Sequence, residues 1–328
     1  LSAATGGDVS LKLETLQPTF SYKIRGALNA VLRLVEAGGA VRPLVTASAG
    51  NHGRALAYAA REAGLRLTVY VPESAPRVKL DAIRQTGAEL RPSRDYDEAE
   101  RLAKAHGATG DALFISPYSN PDVIAGAGTI ALEILEERPD VDTFVVPIGG
   151  GGLISGIGIA ASAAASGAER AATSHRQGYG GPPELQRRRK GSRGEVSLAG
   201  RRGAPDSRTV LGVEVEASCP FTQSLAAGRI VEIDVGPTLA DGLAGNMDPD
   251  TITFDLVQRY VSRIAVITEA ELRAAVGAIA REERLIAEGA GATGVAAVAS
   301  GTIDLHDRRV AIVLSGANID GEKLKELL

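Results

Sequence analysis

Short β-branched runs alternate with longer Ala- and Leu-rich segments along most of the 328 residues, and this alternation constrains the fold more than any other feature. It is the pattern of βα units built around a mostly parallel sheet. Strand candidates are Leu65–Val71, Thr143–Ile148, Thr209–Val215, Ile264–Ile267 and Arg309–Leu314. Each is apolar enough to be covered on both faces. Between them, Ile24, Ala27, Leu28, Val31 and Val35 recur at helical spacing until Gly38 and Gly39 end the segment. Further helical segments are Arg54–Glu62, Arg77–Thr86, Asp97–His106, Asp122–Glu137, Ser155–Ala165 and Glu269–Arg284. The expected fold class is α/β, with open, mostly parallel sheets.

Composition narrows the function classes. The 36 Lys+Arg nearly balance the 40 Asp+Glu, so no global field points to nucleic acid or a membrane surface. A single cysteine, Cys219, excludes an internal disulfide framework and a multi-cysteine metal site, and suits a reducing, cytoplasmic setting. No basic start followed by an apolar run marks a signal peptide. Residues Thr143 to Ala168 carry no charge, but Pro147 and Gly149 to Gly152 interrupt them. A strand, a loop and a buried helix explain that stretch better than a membrane span.

One segment breaks the alternation. Glu169–Arg208 holds ten Lys/Arg against four Asp/Glu, with many Gly, Ser and Pro and hardly any large apolar residue. Arg187 to Lys190 could serve as an arm for RNA, but Tyr179 is the only aromatic residue among the charges. A solvated, disordered insertion is the preferred reading.

Four local motifs carry chemistry. Gly149, Gly150, Gly151 and Gly152, followed by Leu153, sit between an apolar strand and a small-residue helix. Such a run lets backbone N–H groups converge on an anion at a helix N-terminus, and its spacing fits one phosphate group rather than a dinucleotide. Lys23, in Ser21 to Ala27, is one of only seven lysines and has apolar or small neighbours. That setting depresses an amine pKa and makes it nucleophilic toward carbonyls, although a lysine at a helix start is more often a solvated surface residue. Ser48, Ala49, Gly50, Asn51 and His52 form a third turn between strand and helix. Its free N–H groups suit a carboxylate, and it suits equally a plain helix cap; the residues alone leave both open. Ser315, after the strand Arg309–Leu314, stands where open α/β sheets bind ligands.

Taken together, the segments SYKIRGA, SAGNHG, GGGGL and SGAN, in that order, resemble the fold-type II pyridoxal phosphate enzymes, most closely their serine/threonine dehydratase branch. The likeness runs from Leu11 to Asn318 apart from the basic segment. It implies two open sheet domains with the cofactor in the cleft between them. The large domain would combine residues 1–39 and 121–328, and the small one residues 40–120. It further implies that Lys23 is the catalytic residue and holds pyridoxal 5'-phosphate as a Schiff base. Phe20 would pack against the cofactor and Asn51 would contact its phenolic oxygen. Gly149, Gly150, Gly151, Gly152 and Leu153 would hold its phosphate, and Ser315 would meet its pyridine nitrogen. Gly242 would line the ring's pocket, with Glu288 near the pyridine side. Ser48, Ala49, Gly50, Asn51 and His52 would receive the amino-acid substrate. A homodimer is the assembly the resemblance suggests.

Departures from the family's patterns select among its activities. Racemases of this branch resemble SSGNHG at the third motif, with a second serine as base, whereas Ala49 has no proton to exchange. Elimination of water from threonine or serine, giving a 2-oxo acid and ammonia, is therefore expected. Dehydration of another β-hydroxy amino acid, such as 3-hydroxyaspartate or phenylserine, is the alternative. Relatives that bind a divalent cation pair a Glu with an Asp six residues on; here Glu214 is followed at that distance by Pro220, and no metal is expected. The chain also starts almost at its first motif and ends at Leu328, so a cofactor-binding but inactive remnant without a regulatory domain is a third expectation.

Overall fold

The structure is a computed structural model that describes residues 1–38, 42–176 and 208–328. Two fully parallel sheets organise it. The larger is built from β1 (Asp8–Leu13), β6 (Thr143–Pro147), β7 (Thr209–Val215), β8 (Arg263–Ile267) and β9 (Arg309–Leu314), in the order β1-β9-β6-β7-β8. The smaller is built from β2 (Leu44–Ala47), β3 (Leu67–Pro72), β4 (Glu89–Ser93) and β5 (Leu113–Phe114), in the order β4-β3-β2-β5. Every ladder is parallel, as the alternation of strand and helix patterns requires.

Period-two burial assigns each face of a sheet its own core. In β9, Val310, Ile312 and Leu314 join the cluster under helices Glu269–Ala278 and Gly289–Ala299, while Ala311 and Val313 face the opposite cluster. That second cluster includes Ile130 and Ile134 of helix Pro121–Glu137 and Ile154 and Ile157 of helix Gly152–Arg176. The smaller sheet repeats the scheme, with Leu44 on one face of β2 and Val45 and Ala47 on the other. Each fully buried Phe, Leu or Ile here, such as Phe144 or Leu56, contributes about 1.5–3 kcal/mol through its removal from water.

Three helices that carry or support the motifs pack at backbone distance. A Cβ on Gly126 would meet the carbonyl oxygen of Arg25 at 2.4 Å, and one on Gly156 would meet that of Ile124 at 2.3 Å. Helix Pro121–Glu137 thus fixes helix Lys23–Glu36 on one side and helix Gly152–Arg176 on the other. Arg25 locks the same junction: its guanidinium pairs with Glu14 at 2.7 Å and with Glu133 at 2.6 Å. Glu14 is 1% exposed, and the bound guanidinium holds the Glu133 carboxyl down at about 2.

The differences from the sequence reading have physical causes. β1, β4 and β5 were not expected: Asp8–Leu13 has no fully buried residue, Glu89–Ser93 is mostly exposed, and β5 has two residues. None shows the continuous apolar run that marks a doubly covered strand. The helix expected over Ser155–Ala165 starts at Gly152 and reaches Arg176. The one expected over Glu269–Arg284 is α-helical to Ala278 and then widens to a π turn, Ile279–Glu283. Residues Glu169–Arg176 of the basic segment continue helix Gly152–Arg176, against the disorder expected from Glu169 onward, and residues 177–207 lie outside the described residues. No helix among the described residues is long and apolar enough to cross a membrane.

Candidate active site

Three of the four motifs sit at carboxyl ends of strands, the edge where open α/β sheets bind ligands. β2 leads through Ser48 to helix Asn51–Glu62, β6 leads through Gly149 to helix Gly152–Arg176, and β9 leads straight into Ser315. Lys23 arrives differently. Phe20 has φ 55°, an unfavourable left-handed backbone for a bulky residue. Its N–H donates to Gln17 O at 2.7 Å and its carbonyl accepts from Ala317 N at 2.9 Å, which holds that turn in place. Ser21 then bridges Gly316, and helix Lys23–Glu36 begins at once.

These segments enclose a cavity of about 270 Å³ lined by both sheets. Lys23, Ser48, Gly50, Asn51, His52, Gly149 to Leu153, Gly242, Glu288 and Ser315 all face it. Phe20 and Ala49 do not. Phe20 is 48% exposed, with the Arg54 guanidinium 5.3 Å from its ring centre, and Ala49 packs into the core of the smaller sheet.

Lys23 Nζ donates to Pro117 O at 2.7 Å. Burial pushes its amine down to about 8, and the nearby Glu288 carboxylate opposes that shift. Burial likewise pushes Glu288 up to about 7. His52 is pushed down to about 3 by burial and then by the Lys23 charge, so its ring is neutral. Its Nε2 lies 3.3 Å from Ile115 O, and its buried Nδ1 has no partner among the described residues.

A polar network joins three motifs. Asn51 Nδ2 donates to Glu288 Oε1 at 2.6 Å, Asn318 N donates to Glu288 Oε2 at 2.9 Å, and Asn318 Nδ2 donates to Asn51 Oδ1 at 2.7 Å. Arg54 Nη1 adds a bond to Asn318 Oδ1 at 2.7 Å. Asn51 keeps one amide hydrogen for another partner. Sequence reasoning gave no role to Arg54 or to Asn318 beyond its motif, and it missed Tyr96, Asp97 and Glu100, which also line the cavity. No local signal marks these three; only the packing of helix Tyr96–Ala108 brings them there.

The glycine run shows why its residues are glycine. A Cβ on Gly150 would fall 2.3 Å from Tyr118 Cγ, and one on Gly151, at φ 82°, would fall 2.6 Å from Phe221 Cζ. The backbone N–H groups of Gly149 through Ile154 have no acceptor among the described residues, and they end at the N-terminus of a long helix. Free amides at such a helix start suit an anion.

The sequences grouped as "Pyridoxal-phosphate dependent enzyme" match residues 1–316 of this chain. The chain belongs to that family. An L-threonine ammonia-lyase of Thermotoga maritima is 37% identical over all of this chain and 71% of the relative. An L-threo-3-hydroxyaspartate ammonia-lyase of a Pseudomonas species is 33% identical over all of this chain and 90% of the relative. Among solved structures, maize serine racemase superposes with a TM-score of 0.81 at 27% identity, over 99% of this chain and 88% of that one. This pyridoxal-phosphate dependent enzyme thus has the fold-type II architecture.

The residues present fit that cofactor. The amides of Gly149 through Ile154 suit its phosphate, and the depressed Lys23 amine suits its aldehyde. The Ser315 hydroxyl, on a residue 3% exposed, faces the cavity without a partner among the described residues and suits a ring nitrogen. Glu214, weighed in the sequence as half of a cation pair, spends both carboxylate oxygens on helix Pro220–Ala227. Phe221 N and Thr222 N each donate to it at 2.9 Å.

Proposed function

We propose that this pyridoxal phosphate enzyme eliminates water from a small β-hydroxy amino acid, such as L-threonine or L-serine, releasing a 2-oxo acid and ammonia. The observation that carries the reading is the buried Lys23 amine, with its depressed pKa, in one cavity with two sets of unpartnered backbone amides. The ammonia-lyase names of the relatives support the same reaction.

When bound, the cofactor supplies an aldehyde for the substrate's amine and an electron-withdrawing ring for the bonds at Cα. The chain's own residues do the rest. Gly149 through Leu153 would hold the phosphate and Lys23 the aldehyde carbon. Ser315, a neutral partner for the ring nitrogen, would leave that nitrogen largely unprotonated and so limit charge storage in the ring. Asn51, steadied by Glu288 and Asn318, would direct its remaining N–H at the phenolic oxygen. The first-turn amides of Asn51, His52 and Gly53, which lack acceptors among the described residues, would take the substrate's carboxylate.

Among the described residues, Lys23 Nζ is the only amine lining the cavity and would take the proton from Cα. Ala49 has no proton to exchange and packs away from the cavity, so position 49 supplies no second base for inversion. The smaller sheet would form a lobe of its own within residues 40–120. A cytoplasmic homodimer belongs to the same reading, with one cysteine suited to a reducing compartment.

The purified protein should carry a cofactor absorbance band and release ammonia and a 2-oxo acid from threonine or serine. Lys23→Ala should remove both. A Lys23→Ala protein that retains the band and the turnover would refute the assignment.

A further inference from the structure

Glu288 alone does not fix which end of the Asn51 amide faces the cofactor. Burial pushes its carboxyl up to about 7, so at neutral pH a large share is carboxylic acid, which donates as well as accepts. A donating Glu288 would suit a reversed Asn51, with the oxygen where the spare N–H belongs. The other determinant is Asn318, whose Nδ2 donates to Asn51 Oδ1 at 2.7 Å and keeps that oxygen on its own side.

Asn318 is in turn oriented from both ends. Its Nδ2 gives its other hydrogen to Thr19 O at 2.9 Å, a group that only accepts. Its Oδ1 takes a bond from Arg54 Nη1 at 2.7 Å, a group that only donates. Reversing this amide would face donor with donor and acceptor with acceptor. Arg54 does not line the cavity, and it pairs with no carboxylate among the described residues. Its guanidinium lies instead 5.3 Å from the Phe20 ring centre. Phe20 presents that ring through its strained φ of 55°. The strain and the half-exposed ring have a purpose if Arg54 must be held in place.

We propose that Arg54 is a positioning residue: through Asn318 it fixes the orientation of the Asn51 amide, so that an N–H and not the oxygen meets the cofactor's phenolic oxygen. This rests on the contact between Asn51 and that oxygen in the proposed function, but the two are separable by experiment.

Arg54→Met keeps an apolar stem against the Phe20 ring and removes the donor. Calorimetric titration of the cofactor-free protein with pyridoxal 5'-phosphate should then show binding about tenfold weaker, the scale of one lost hydrogen bond to a charged oxygen. An analogue with hydrogen in place of the 3-hydroxyl gives Asn51 nothing to contact, so Arg54→Met should bind it within about twofold of the unchanged protein. Arg54→Lys keeps a group that only donates and should recover most of the loss. Asn51→Ala should show the same dependence on the 3-hydroxyl. Equal losses for cofactor and analogue in Arg54→Met would make Arg54 a structural clasp and overturn the relay. No loss for either, or a loss that Arg54→Lys leaves untouched, would overturn it too. If Asn51→Ala weakens both compounds equally, the phenolic contact falls and the relay with it. If Asn51→Ala discriminates and Arg54→Met does not, the relay alone falls. Ammonia release from threonine and serine tests the dehydratase reading independently of all these outcomes.

Discussion

The pKa of Lys23 sets how fast the protein can be loaded with its cofactor. An ordinary lysine has a value of 10.5, and burial brings this one to about 8. Only the neutral amine attacks an aldehyde. At pH 7 the neutral fraction is about one in ten rather than about one in three thousand, a gain of roughly 300-fold. The sign follows directly: loading should accelerate about tenfold per pH unit below the midpoint and level off above about pH 8. Stopped-flow absorbance after mixing cofactor-free protein with pyridoxal phosphate, from about pH 7 upward, keeps the cofactor's phosphate ionisation near 6 outside the profile. Glu288→Gln removes the one charge that favours the ammonium, so its midpoint should move lower still. A rate that climbs without levelling past pH 10 would show an ordinary, hydrated amine and refute the reasoning.

Four other outcomes can be checked. Gly150→Ala places a methyl 2.3 Å from Tyr118 Cγ, so thermal melting should show a loss of about 1–3 kcal/mol and titration a weaker hold on the cofactor. Arg25→Met strands the buried Glu14 carboxylate and should cost about 3–5 kcal/mol in urea unfolding. Ala49→Ser alone should produce no D-amino acid in a chiral assay, because position 49 packs into the smaller core and does not line the cavity. Ser315→Asp should protonate the ring nitrogen and slow ammonia release from threonine; undiminished turnover would remove Ser315 from that role.

Much of this was legible because the motifs are local. The glycine run, the SAGNHG turn, Lys23 and Ser315 each follow a strand or open a helix, and periodicity alone locates such junctions. Strands covered on both faces were equally plain, as in Thr143–Pro147 and Arg309–Leu314. Strands β1 and β4 were not, since their residues are mostly partly or fully exposed and lack the apolar signature. At the site, what stayed hidden comes from tertiary packing. Asp97 and Glu100 look like surface charges of an amphipathic helix, and nothing nearby tells that its start faces Lys23's cavity. Phe20 shows the opposite error. Its neighbours in sequence enter the site, but its positive φ turns the ring away to Arg54.

The cavity is walled by two sheets, so the bonds that join them also set the site's geometry. The pairs Lys79–Asp241 and Lys104–Asp248 cross at the rim, partly exposed, where each contributes little and weakens with salt. The buried link runs through Glu288, from the larger sheet's side, to Asn51 on the smaller sheet's helix Asn51–Glu62. Glu288 accepts from two donors, Asn51 Nδ2 and Asn318 N. A glutamine at 288 can offer its oxygen to only one of them and turns an N–H toward the other. The variant that moves the Lys23 midpoint should therefore also lose about 1–3 kcal/mol of stability, the cost of one buried donor left unpaired. A shifted loading profile with unchanged stability would mean that Glu288 acts on Lys23 through charge alone and that the sheets are held in register by something else.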